Sequence, residues 1–97
     1  MATRGDVTVY RITRTGDGLT VPVTITNTGR DRAAYTAEIG ITGPQGFEAV
    51  LHVGTDGVPI HPGTSHPAEL TAADPGKPVP ADPAITISHV SRVPYAG

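Results

Sequence analysis

Four histidines, His52, His61, His66 and His89, carry the most obvious chemistry in this 97-residue chain. His61 and His66 flank Pro62-Gly63-Thr64-Ser65, a loop spacing at which two imidazoles can chelate one zinc or copper ion. A firm site needs a third and a fourth donor, and the sequence offers Asp56, His52 or His89 for those places with nothing to bring them near. Metal binding through His61 and His66 is therefore the minor reading beside exposed histidines next to a turn. No metal or other cofactor is expected. Met1 is the only methionine, so the methionine-and-histidine ligand sets of copper carriers are not available either.

Nucleophilic catalysis fares no better. Ser65-His66 and Ser88-His89 set a hydroxyl beside an imidazole. Neighbours on a strand point to opposite faces, which is the wrong geometry for proton transfer. There is no G-x-S-x-G elbow and no cysteine. Asp17, Asp31, Asp56, Asp74 and Asp82 fall in turns, where aspartate bonds its local backbone rather than pairing as acid and base. No catalytic residue is expected, and the chain reads as non-enzymatic. Arg4-Gly5-Asp6 spells an adhesive tripeptide, but that reading needs an exposed loop, and the N-terminus is expected to be frayed.

A formal charge of −2, with seven basic residues scattered singly, cannot build a phosphate-tracking stripe, so nucleic acid is not expected as a partner. The lack of cysteine excludes disulfides and thiolate metal sites. No apolar run reaches the roughly 18 to 20 residues of a membrane helix, so direct membrane insertion is not expected. MATRGDVTVY lacks the apolar segment of a signal peptide, which leaves a cytosolic protein or one whose export segment has been removed. With 37% apolar and 4% aromatic residues, the core must be a thin one of Val, Ile, Leu and Ala. One domain over residues 1–97, with its core in 7–94, accommodates that.

The elements that must position these groups are strands. The stretch 18–42 alternates strongly: Leu19, Val21, Val23 and Ile25, then Tyr35, Ala37, Ile39 and Ile41, share one parity and read as a single hairpin forming one wall of a core. Pro22 inside it, with no N–H to donate, means either an edge strand, the leading reading, or a proline facing away from the hydrogen-bonding ladder. Further strands are predicted over 7–13, where a change of parity suggests a bulge or a strand covered on both faces, over 47–53, over 65–72, where Pro67 implies an edge or a late start, and over 84–93, with a phase shift between Ile87 and Val90. Turns fall at 15–18, 43–46 and 54–57, rich in glycine. Prolines 75, 78, 80 and 83 make 73–83 a surface loop. Six to eight short strands with such turns, and no apolar period of 3.6, predict an all-β antiparallel sandwich of immunoglobulin or fibronectin type, with a small barrel as the rival.

Four of these segments together resemble the small immunoglobulin-like domains called FxLYD and their relatives in envelope and secreted proteins of high-GC bacteria. They are Ile25-Thr26-Asn27-Thr28-Gly29, Pro44-Gln45-Gly46, Ile60-His61-Pro62-Gly63-Thr64 and Ile87-Ser88-His89-Val90-Ser91-Arg92. The resemblance covers roughly residues 7–94. Relatives often pair two cysteines between the first and last strands, whereas Ile85 stands near where one would lie, and Tyr35 and Phe47 are the main aromatics. The resemblance implies an accessory structural or protein-interaction module of an exported or membrane-anchored bacterial protein, extracytoplasmic or at the cell surface, with another protein or domain as partner and no catalytic residues. The alternative is a carbohydrate- or other ligand-binding module using the strand faces and the 54–66 loops. It would have only Tyr10, Tyr35 and Tyr95 for stacking sugars.

Overall fold

The computed structural model describes residues 2–16 and 18–95. Eight strands lie among them: β1 (Ala2–Arg4), β2 (Val7–Val9), β3 (Thr13–Thr15), β4 (Gly18–Thr26), β5 (Ala33–Thr42), β6 (Glu48–Gly54), β7 (Ser65–Ala72) and β8 (Ala84–Pro94). The chain is all-β, as expected, and every pairing is antiparallel. One sheet has β4 at its centre, with β7 along one side and β2 and β3 in succession along the other, β1 extending it beyond β2. The second sheet runs β6-β5-β8. Val7, Val9, Leu19, Val21, Val23 and Ile25 from the first sheet and Tyr35, Ala37, Ile39, Ile41 and Val53 from the second form one buried cluster, with Phe47 closing it.

The stretch 18–42 is not a hairpin. All eight alternating residues are buried as their period requires. However, β4 and β5 belong to different sheets and face each other across the core as its two walls. Alternation tells which face of a strand is covered and is silent about which strand lies alongside. Here both flanks of β4 are taken, by β7 over Leu19 to Thr26 and by β2 and β3, so residues 27–32 carry the chain across to the other sheet.

Pro22 is correspondingly central rather than at an edge. A strand residue sends its N–H and C=O to the same side, and the Pro22 carbonyl accepts from the Tyr10 N–H at 2.9 Å. Its missing donor thus faces residues 10–12, where β2 has ended and β3 has not begun. The parity change expected within 7–13 is this break. Pro67 does lie on an edge strand, since β7 pairs with β4 alone.

The N-terminus is not frayed among the described residues: Ala2–Arg4 pairs with Val7–Val9 around Gly5, which takes φ +56. In the 43–46 turn, Pro44 is followed by Gln45 at φ +65, the positive value that a type II turn has at this position, and Gly46 leaves the turn at φ +86. The proline-rich segment is mostly exposed, but Pro80 is buried. It packs where a Cβ on Gly43 would come within 2.5 Å of its ring.

The cysteine-free sequence makes the two-sheet arrangement easy to test. Thr8 and Thr24 are register partners on β2 and β4. The pair Thr8→Cys with Thr24→Cys should oxidise to an intramolecular disulfide, because directly opposed residues lie within the Cα separation a disulfide spans. Thr24→Cys with Thr36→Cys, neighbours in a hairpin but here on different sheets, should remain reduced. Gel mobility with and without reductant distinguishes the two outcomes.

Candidate functional site

At one end of the sheets, a connected polar network forms around Asn27, which is buried at the point where the chain leaves β4. Its amide nitrogen donates to the carbonyls of Asp31 and Ile60, each at 2.8 Å. Its Oδ1 accepts from the Gly29 N–H at 2.9 Å and from Arg92 Nη2 at 3.2 Å. Its backbone is held as well, the N–H by the Thr64 carbonyl and the C=O by the Gly63 N–H. The Tyr35 hydroxyl donates to Asp6 Oδ2 at 2.5 Å and accepts from Arg92 Nε at 3.0 Å. Thr28 donates its hydroxyl to the other Asp6 oxygen. Burial alone would raise the Asp6 carboxyl, but the bonds from Thr28 and Tyr35, with the Arg92 charge nearby, outweigh it and hold the group below its ordinary 3.8. Burial, and then the bond to Asp6, push the Tyr35 hydroxyl above 10.0.

These groups satisfy one another, and no buried side-chain N or O among the described residues lacks a partner. The cluster is thus a latch that ties the start of β2, the end of β4, the 60–64 loop, β5 and β8. It also gathers three of the four segments that carry the family resemblance. Gly29 has a local reason to be glycine: a Cβ there would stand 2.2 Å from Arg92 Nη2 and 2.7 Å from its Cζ. Arg4-Gly5-Asp6 occupies the β1–β2 turn with both charged side chains engaged. Arg4 donates to the Ile87 carbonyl at 2.9 Å, and Asp6 belongs to the latch.

A second cluster lies on the outer face of the β6-β5-β8 sheet. Glu38 stands between two imidazoles, with His52 Nδ1 3.6 Å from its Oε1 and His89 Nε2 3.5 Å from its Oε2. His52 is its register partner on β6. His89 arrives through a bulge. Thr36 pairs with Ser91 and Glu38 with Ser88, so two residues of β8 oppose Ala37, and His89 takes φ +51. The expected phase shift between Ile87 and Val90 is this bulge. Together with Thr36 and Asp56, the three residues line a recess of about 350 Å³. A third surface, a groove of about 350 Å³, is lined by Tyr35, Gly57, Val93, Pro94 and Tyr95, where the Arg32 guanidinium sits 4.9 Å from the Tyr95 ring centroid.

His61 is exposed in its loop, while His66 is half-buried on β7 opposite Ile25. No three His, Cys, Asp or Glu side chains among the described residues stand ready around one point to hold a metal ion. Ser65 bonds the Thr26 hydroxyl at 2.9 Å, and Ser88 sits opposite Glu38. Residue spacing directs attention to His61 and His66, whereas strand register brings together His52 and His89. The one trace of that in the sequence is the phase shift that marks the bulge.

Two substitutions with opposite expected signs probe the latch. Gly29→Ala should expel the Arg92 guanidinium from Asn27 and Asp31 and lower stability by about 1–3 kcal/mol in urea unfolding. Gly40→Ala, whose Cβ would meet nothing nearer than 3.7 Å, should be neutral or stabilising by up to about 1 kcal/mol. The lowered Asp6 value sets a pH dependence. A depressed carboxyl contributes stability that is present above its unfolded value near 3.8 and lost as pH falls through the native one. The stability difference between the wild type and Asp6→Asn should therefore narrow as pH is taken from about 5 to about 2 in denaturant titrations.

No family model, no curated protein and no solved structure matches this chain, so the likeness to FxLYD-like domains rests on the residues quoted above.

Proposed function

We propose that this chain is a non-catalytic, immunoglobulin-like sandwich module that binds a partner protein, as part of an exported or membrane-anchored bacterial protein. The single observation that carries the binding role is the groove at the end of β8. Val93 and Tyr95 are 61% and 53% exposed there, and Val58, next to Gly57 of its lining, is 62% exposed. Aliphatic and aromatic side chains on a stiff strand bury area on binding at little entropic cost, and tyrosine with arginine is the pairing that interface hot spots favour. Arg32 already lies over the Tyr95 ring. The immunoglobulin-like and extracytoplasmic parts of the reading rest on the sequence resemblance. The crossing of 27–32 between two antiparallel sheets supports the immunoglobulin-like part.

The carbohydrate alternative lacks a platform. Tyr35 is buried in the latch. Tyr10 shares a recess with Pro83 and Ile85 beside the start of β8, and Tyr95 follows its end. An eleven-residue strand separates those two places by about 35 Å.

A photocrosslinking amino acid replacing Val93 should yield one discrete protein adduct in cells that make the protein, and the same replacement of Thr71, exposed on the β4-centred sheet, should not. Identical adducts from both positions, or none from Val93, would overturn the proposal.

A further inference from the structure

Among the described residues, every sheet edge but one is closed to a further strand. β1 and β3 are three residues long. β7 carries Pro67 on its free side, where no N–H can be offered. β8 has Arg4 bonded to its Ile87 carbonyl and a bulge at His89. By contrast, β6 contains neither proline nor lysine, and its register with β5 runs unbroken from Glu48 to Gly54. We propose that the free edge of β6 pairs with the β6 of a second copy of this chain, antiparallel about a two-fold axis at His52. This surface is separate from the Val93 groove, because β6 and β8 flank β5 on opposite sides.

The ladder itself fixes which backbone groups are on offer. The Thr55 N–H donates to the Tyr35 carbonyl and the Gly43 N–H to the Phe47 carbonyl, each at 3.0 Å, so the odd-numbered residues of β6 face β5. Val50, His52 and Gly54 therefore turn both N–H and C=O outward, where no strand lies among the described residues. Glu48 shares that side, but Asp74 Oδ2 takes its N–H at 2.9 Å and closes the edge there. The open window is thus 50–54. A second β6 matches its length, because the chain turns away after Gly54, with Asp56 and Gly57 at positive φ, before it would reach Asp74. Centring the pair on His52 sets Val50, 56% exposed in the single chain, against Gly54 of the second copy. The two imidazoles then lie side by side with a Glu38 carboxylate 3.6 Å behind each. On the inner face, Leu51 meets Val53 of the second copy at the closer, non-hydrogen-bonded positions. Leu51 has area to cover: it is half-buried, as are Ala49 and, on neighbouring β7, Ala68 and Leu70, whereas the inward residues of β4 and β5 are buried. Such an interface is isologous and closes at two copies.

So short an overlap makes a reversible pair, formed at high micromolar concentration, rather than an obligate dimer. Sedimentation equilibrium of the wild type should show a monomer–dimer equilibrium, and amide exchange at Val50, His52 and Gly54 should slow as concentration rises. Val50→Pro removes an N–H that has no partner within the chain, so it should fold and weaken dimerisation at least tenfold. The exchange measurement stands without that variant. The cysteine-free chain also lets the register be read: His52→Cys, on the axis, should oxidise to a covalent dimer, whereas Val50→Cys, opposite glycine, should stay largely monomeric. A wild type that is monomeric throughout, exchange independent of concentration, undiminished dimerisation in Val50→Pro, or equal cross-linking at both positions would overturn the proposal. So would a photocrosslinking amino acid at His52 that captures a different protein in cells in place of a second copy.

Discussion

Where the chain leaves β4 for the opposite sheet, its backbone passes out of every ladder, and the groups set free there must find partners or be buried unpaired. Asn27 resolves this with one side chain, taking the Gly29 N–H and giving its two amide hydrogens to the carbonyls of Asp31 and Ile60. A buried polar group left unsatisfied costs about 1–3 kcal/mol, so the crossing is only as stable as this amide's contacts. Arg92, reaching back from β8 to Asn27, Asp31 and Tyr35, and Asp6, reaching from the start of β2, fasten both sheets to the same point. Members of such a network polarise and orient one another, which is why a methyl group on Gly29 is expected to act through several bonds.

The latch matters more because the core is thin. Val, Ile, Leu and Ala make up most of the buried cluster, and Tyr35 and Phe47 are its only aromatics. Tyr35 serves both systems, its ring in the core and its hydroxyl in the latch. Phe47, directly after the left-handed turn at Gln45 and Gly46, closes the core at the start of β6. Of the two buried polar residues among those described, Asn27 holds the crossing between the sheets and Thr55 accepts the Tyr35 N–H beside the end of β6. The chemistry left for partners therefore lies outside, in the Val93–Tyr95 groove and along the open edge of β6.

Much of this was legible in the residues. A period of two marks which side chains are buried, because a strand must alternate them whatever lies beside it. Glycine, proline and aspartate mark the turns through their own backbone preferences. The bulge near Ile87 to Val90 and the edge position of Pro67 follow from the same local rules. What local rules could not supply was the pairing of strands, since ladder bonds join backbone atoms that are the same at every residue. The tertiary structure alone decided that β4 and β5 face each other rather than pair, that Pro22 looks into the gap between β2 and β3, and that His52 and His89, remote in sequence, meet at Glu38 while His61 and His66 gain no third donor among the described residues. Each of these is a consequence of register between distant segments, settled only when both sheets close over one core.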